Sequence, residues 1–473
     1  MMPDDHGSTL FDRTLRNLRR AWTDLSDTTR HYISRQPRPG LPDEDLARVR
    51  GEIEACIVGR GDEASVRARA AALGHVYMGL DADGRRRFLS MLAGEFDVDR
   101  GAVDAAMLAV QEADNETRSA AEGALREALE PRWRALLGRF TTLPEGVKFL
   151  VDLRAEMLTM AREDKAIKAL SDDLRTMLGA WFDIGLLDLR QIGWDSPAAL
   201  LEKLIAYESV HAIKSWDDLK NRLESDRRCF GFFHPNMPDE PLIFVEVALV
   251  NGMSGSVDEL LDEEAPETDP RTADTAIFYS ISNAQRGLSG ISFGNFLIKR
   301  VVELLSHDFP NLKTFATLSP IPGFARWLDG QLQDEQAVLL TSADRKALTA
   351  LGEGANDGAL LSGFLSRLDA QSDQILVDAM KSPITRLAAR YVLTAKGRGG
   401  RALDPVAHFH LTNGARAERL NWLGDRSERG FAQSHGLMIN YLYRLPEIEA
   451  NSTAYITDLS IAESTAMRTL ARG

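Results

Sequence analysis

The chain has 473 residues, 44% hydrophobic and 27% charged, an ordinary globular composition with length for two or three domains. Its 70 acidic and 56 basic residues give a net charge of -14, which repels nucleic acid and anionic membrane surfaces and argues against both as partners. Two cysteines, Cys56 and Cys229, exclude a disulfide framework, and no apolar run approaches the about 18 residues of a spanning helix.

The opening Met-Met-Pro-Asp-Asp-His-Gly is acidic where a presequence would be basic, and the closing Ala-Arg-Gly is no peroxisomal address, so a cytoplasmic protein is expected. From about Leu10 to Ser225 the pattern is helical. Ile167, Leu170, Leu174, Met177, Leu178 and Trp181 recur at three- and four-residue steps, as do Val147, Leu150, Val151, Met157 and Leu158, and each set marks one helical face. Breakers at Pro37 to Pro42, Gly59 to Gly61 and Leu143-Pro144 separate the helices of a bundle. Apolar stripes on a long helical region predict a homo-oligomer, a dimer or tetramer.

The character changes near Cys229. Cys229 to Phe233 and Leu242 to Val250 read as strands about a turn, His234 to Pro241, and Ala276 to Ile281 reads as a third. A glycine-rich segment, a helix over Phe296 to Leu305 and a strand over Lys313 to Leu318 follow. Residues 329–396 return to helical periodicity, and strands are predicted again at Val406 to Leu411 and Gly436 to Tyr443. The fold class is α+β, an all-α bundle over residues 1–185 followed by a mixed α/β domain over 186–473 with a helical insertion at about 329–396.

Three segments carry chemistry. In the first, Gln285-Arg286-Gly287-Leu288-Ser289-Gly290-Ile291-Ser292-Phe293-Gly294-Asn295, glycines permit positive φ and close approach. The helix that follows points its free N–H groups at whatever sits in the loop, so a pyrophosphate could bind there; a connection that merely turns the chain is the alternative. No Lys-Ser or Lys-Thr follows Gly294, which excludes a P-loop. In the second, Leu318-Ser319-Pro320-Ile321-Pro322-Gly323-Phe324, two prolines stiffen the backbone around the Ser319 hydroxyl, and the alternative is an ordinary surface turn. In the third, Asp404-Pro-Val-Ala-His408-Phe-His410-Leu-Thr-Asn413-Gly414, a strand ending in an Asn-Gly turn would set His408 and His410 on one face, with His410 an acid–base group or both of them structural histidines. The spacing suggests no third metal ligand, and neither a metal nor another cofactor is expected.

The first segment resembles the pyrophosphate loop of the GNAT acetyltransferase superfamily, Gln/Arg-x-x-Gly-x-Gly/Ala between strand and helix. Larger blocks resemble the malonyl-CoA decarboxylase family: His234-Pro-Asn-Met-Pro, Pro241 to Leu249, Phe278-Tyr-Ser-Ile-Ser282, Gly294 to Val302, Leu318-Ser-Pro-Ile-Pro-Gly-Phe324, Phe409-His-Leu-Thr-Asn-Gly-Ala415 and Gly436 to Tyr443. They span most of residues 230 to 445. The resemblance implies an oligomer-forming helical domain before a GNAT-like catalytic domain, and malonyl-CoA and acetyl-CoA as substrate and product. It places the family's catalytic serine and histidine on Ser319 and His410, its coenzyme A loop on Ser289 to Asn295 and a supporting tyrosine on Tyr443. Arg286, Lys299 and Arg300 are candidates for phosphate charges. Under this reading the thioester carbonyl takes the charge left by departing CO2, and Ser319 serves as a hydrogen-bond donor or, alternatively, as a nucleophile. An acyltransferase and a non-catalytic acyl-CoA sensor are the competing readings.

Overall fold

The computed structural model describes residues 22, 36–59, 61–182, 184–291, 296–369 and 371–472. A helical N-terminal region is followed by a mixed α/β sheet region, and the chain divides into two compact units. One comprises residues 1–187, 233–241 and 285–292; the other comprises 188–232, 242–284 and 293–473.

The first unit contains helices α1 (Asp43–Val58), α2 (Glu63–Gly79), α3 (Ala82–Glu95), α4 (Arg100–Glu112), α5 (Arg118–Ala128), α6 (Trp133–Phe140), α7 (Gly146–Met160) and α8 (Lys165–Trp181). Of the α8 stripe read from the sequence, Ile167, Leu170, Leu174 and Leu178 are buried and Met177 and Trp181 half-buried, and Asp164 caps the helix by accepting from the N–H groups of Ala166 and Ile167. The buried rings of Trp22, Tyr77, Phe88, Phe140 and Phe149 meet edge to face or tilted, except that Trp22 stacks on Phe140.

The second unit is built on an eight-stranded sheet in the order β1-β2-β3-β4-β5-β8-β6, with β7 also on β8. The strands are β1 (Asp188–Ile192), β2 (Arg227–Phe233), β3 (Ile243–Val250), β4 (Thr275–Asn283), β5 (Thr314–Thr317), β6 (Ser319–Pro320), β7 (Arg416–Asn421) and β8 (Met438–Tyr443). The near-continuous apolar runs of β3 and β8 are buried along almost their whole length, as strands covered on both faces must be. β2, β3 and β4 pair antiparallel, whereas β4 and β5 pair parallel, which requires the crossover that carries helix α9 (Phe296–Asp308). The register of β3 on β4 shifts between Glu246, opposite Ser280, and Val247, opposite Phe278, leaving Tyr279 as the extra residue of a β-bulge.

Helices α10 (Phe324–Leu332), α11 (Ser342–Thr349), α12 (Asp357–Leu365) and α13 (Gln374–Thr394) occupy the stretch read as a helical insertion. The expected strand at Val406 to Leu411 is instead helix α14 (Pro405–Thr412). Local chemistry explains this: Asp404 caps the helix and Pro405, with its fixed φ and missing N–H, fits its first position. Among the described residues no helix is long and apolar enough to cross a membrane.

Candidate active site

Strands β5 and β6 lie on β8 in one register, with Phe315 opposite Tyr443, Ala316 opposite Leu442, Ser319 opposite Ile439 and Pro320 opposite Met438. Between them the ladder breaks. The Leu318 N–H turns to Phe278 O at 2.9 Å. Thr317 is held by other groups: the Tyr441 N–H donates to its Oγ1 at 3.2 Å, and Asn440 Nδ2 donates to its carbonyl at 2.7 Å. Asn440 is itself fixed, because its Oδ1 accepts from Asn421 Nδ2 at 2.8 Å and from Arg419 Nε at 3.2 Å. The break leaves the side chains of Thr317 and Ser319 in contact, with Ser319 Oγ donating to Thr317 Oγ1 at 2.8 Å.

The histidine reaches the same point from α14. Asp404 Oδ1 accepts from the N–H groups of Val406 and Ala407, both at 3.0 Å, and so caps the helix. Its other oxygen accepts from the Gly323 N–H at 3.1 Å and the Tyr391 hydroxyl at 3.3 Å. One carboxylate therefore ties the serine-bearing loop to the histidine-bearing helix. His410 Nε2 lies 3.0 Å from Ser319 Oγ, and Nδ1 lies 2.9 Å from the Tyr443 hydroxyl. The imidazole also stacks on Tyr441, with centroids 4.6 Å apart and planes 26° apart.

Burial pushes the His410 pKa down to about 3, so the ring is neutral around pH 7, with one N–H and one acceptor nitrogen. Burial also raises the Tyr443 phenol well above its ordinary value, which keeps the hydroxyl protonated. His408 does not share this site, contrary to the strand reading. Two residues apart on a helix, the histidines point in different directions, and His408 Nδ1 meets the Tyr455 hydroxyl at 2.9 Å.

Ser319 and His410 line a cavity of about 210 Å³ whose other walls include Val210, Phe278, Ile281, Pro320, Val406 and Phe409. Val210 is set in place by Glu208, a buried carboxylate that the sequence reading overlooked. Its oxygens accept from the N–H groups of Val210 and His211 at 2.7 and 2.8 Å and from the hydroxyls of Ser280 and Ser282 on β4. Glu246, the polar interruption in the β3 run, lies 3.1 Å from Arg222 in a buried pair; burial raises its carboxyl pKa and the guanidinium opposes that rise.

Only part of the glycine-rich segment can be placed, since Ser292, Phe293, Gly294 and Asn295 lie outside the described residues. Gln285 is buried and donates to Pro241 O at 3.0 Å. Gly287 sits against α7, where a Cβ would lie 1.8 Å from Val151 O, and its own carbonyl accepts from Arg154 Nη1. Arg286 donates to Ala155 O at 2.6 Å and to Thr159 Oγ1 at 3.0 Å. Packing on α7 thus accounts for Arg286 and Gly287, and the turn carbonyl of Pro241 for Gln285. Ser289 donates its N–H to Arg286 O at 3.1 Å and Ile291 to Leu288 O at 3.0 Å, about a Gly290 with φ 79°. Lys299 is paired with Glu449 at 2.9 Å.

A neutral histidine between a serine and a tyrosine, at the wall of a small and largely apolar cavity, has the geometry for proton transfer to or from a small bound group. Comparison with known proteins narrows this. The family model for the malonyl-CoA decarboxylase C-terminal domain matches residues 185–473, and the model for the N-terminal domain of the same family matches 96–182. Mitochondrial malonyl-CoA decarboxylase of Anser anser anser is 40% identical over 405 residues, 82% of this chain and 80% of that protein. The enzyme of Mus musculus is 40% identical over 406 residues, 82% of each. The crystal structure of malonyl-CoA decarboxylase from Rhodopseudomonas palustris superposes with a TM-score of 0.82 at 44% identity, covering 90% of this chain and 99% of that one. That from Agrobacterium vitis gives 0.80 at 41% identity, covering 89% and 99%. The chain belongs to the malonyl-CoA decarboxylase family.

Proposed function

We propose that this chain converts malonyl-CoA and a proton to acetyl-CoA and CO2, with Ser319 and His410 at the reacting centre. The observation that carries the reading is the 3.0 Å contact of Ser319 Oγ with His410 Nε2 at the wall of the 210 Å³ cavity. That space suits a three-carbon acyl group and is far too small for coenzyme A. When the bond to the carboxylate breaks, its electron pair passes to the thioester carbonyl as an enolate, and the α-carbon then takes a proton. Apolar walls favour a charged carboxylate leaving as neutral CO2, and donors aimed at the growing oxyanion stabilise the transition state.

In this account Ser319 donates to the thioester oxygen or the carboxylate, and His410 protonates the α-carbon. The free ring is neutral; the negative charge of a bound malonyl group offsets burial and favours the imidazolium that delivers the proton. Tyr443 orients the ring through Nδ1. Coenzyme A phosphates are assigned to the segment 289–295, on the family resemblance and the φ of 79° at Gly290, which lets the backbone approach a ligand closely. The helical unit is assigned to self-association, because α4 buries only Val103, α5 buries no residue, and Met107, Leu108 and Leu129 are exposed.

The direct test mixes purified protein with malonyl-CoA and a chelator, with nothing else added, and follows acetyl-CoA by chromatography. Acetyl-CoA appearing as malonyl-CoA disappears is the expected result. Unchanged malonyl-CoA with demonstrably folded protein contradicts the reading.

A further inference from the structure

We propose that Thr317 is a positioning residue that sets the direction of the Ser319 hydroxyl and thereby keeps the His410 ring proton on Nε2. Only the kinetic consequence of this rests on the decarboxylase reading.

The argument is a count of protons. A serine hydroxyl has one, and a neutral imidazole has one N–H. Ser319 Oγ gives its proton to Thr317 Oγ1 at 2.8 Å. With that proton committed, Oγ can only accept across the 3.0 Å contact with His410, so Nε2 must carry the hydrogen. Nδ1 is then the acceptor, and the Tyr443 hydroxyl donates to it at 2.9 Å. Donation runs one way, from Tyr443 to His410 to Ser319 to Thr317.

Thr317 is well suited to end this chain. It is fully buried, its Oγ1 receives the Tyr441 N–H at 3.2 Å, and a β-branched side chain has few χ1 choices. It also occupies the gap in the ladder between β5 and β6, where its hydroxyl rather than a main-chain carbonyl meets the β8 backbone. A serine that is to attack as a nucleophile must direct its proton at the histidine. Here the proton points the opposite way. Thr317 therefore selects the donor role: when substrate enters, the hydroxyl swings from Thr317 to a substrate oxygen and keeps accepting from His410.

The test reads the tautomer in the unliganded protein by long-range ¹⁵N–¹H NMR on histidine-labelled protein, with His410 assigned by its loss in His410→Asn. Wild type and Thr317→Ser should show Nε2–H. Thr317→Val should shift the hydrogen to Nδ1, because Ser319, left without its acceptor, turns to the ring. In the malonyl-CoA assay Thr317→Val should lower kcat about tenfold with KM little changed, and Thr317→Ser should retain activity. Nδ1–H in wild type overturns the proposal without recourse to any variant, and so does a persistent Nε2–H in folded Thr317→Val. Because the tautomer is read without substrate, a failure of the decarboxylase reading leaves this result standing and is told apart from it.

Discussion

Two segments that follow neighbouring strands, Ser319 to Phe324 after β5 and Gln285 to Ile291 after β4, carry similar sequence cues and put them to different uses. In the first, stiffness serves the placement of one hydroxyl: Ser319 Oγ meets Thr317 and His410, and Asp404 ties Gly323 to the helix that bears His410. In the second, the glycine that looks like a ligand contact is where the chain passes within clashing distance of α7, and the arginine beside it bonds a helix carbonyl. Glycine and proline report that a backbone is constrained. Only the partners show whether a side chain or a neighbouring helix is the reason.

Substitutions can break that contrast. Gly287→Ala should act on stability, since overpacking of this kind costs about 1–3 kcal/mol or more, while kcat per folded molecule stays near wild type; chemical denaturation beside kinetics measures both. Tyr443→Phe removes one buried hydrogen bond from His410 and should lower kcat by about tenfold while costing about 1–3 kcal/mol of stability, as steady-state kinetics and calorimetry would show. Asp404→Ala deletes a cap worth about 1 kcal/mol and unties loop from helix, so a melting curve should fall modestly and kcat more than stability alone explains.

Acidity offers a subtler probe. The folded His410 pKa of about 3 lies below its ordinary 6.5, so the unfolded chain takes up a proton first as pH falls. The stability from burying the neutral ring is complete above about pH 6.5 and is lost progressively toward pH 3. Urea titrations at pH 7.5 and 5.5 should therefore differ less for His410→Asn than for wild type. The smallest effect is expected for His408→Gln, which faces Tyr455 away from the cavity and should leave kcat within about twofold.

Strands β2, β3, β4, β5 and β8 were legible because buried strands read as short apolar runs. Strand β7, Arg-Ala-Glu-Arg-Leu-Asn, was not, since its polar residues are satisfied by partners remote in sequence, such as Asn440 for Arg419 and Asn421. Strand β1, Asp-Leu-Arg-Gln-Ile, was lost within the helical reading because it is an exposed edge. The helix of His410 was misread through its apolar alternation, although Asp404-Pro405 carried the signal of a capped helix start. Ser319 and His410 could be named from resemblance. Thr317, Glu208 and the bracing role of Asn440 could not, because each depends on a contact made across the sheet.

The central claim, that Ser319 and His410 form the reacting centre, is tested most directly by measuring acetyl-CoA formation from malonyl-CoA in Ser319→Ala and His410→Asn beside wild type, with coenzyme A affinity measured in parallel. Each variant should lose turnover by roughly a hundredfold or more while affinity changes far less. Turnover close to wild type in either folded variant would contradict the account.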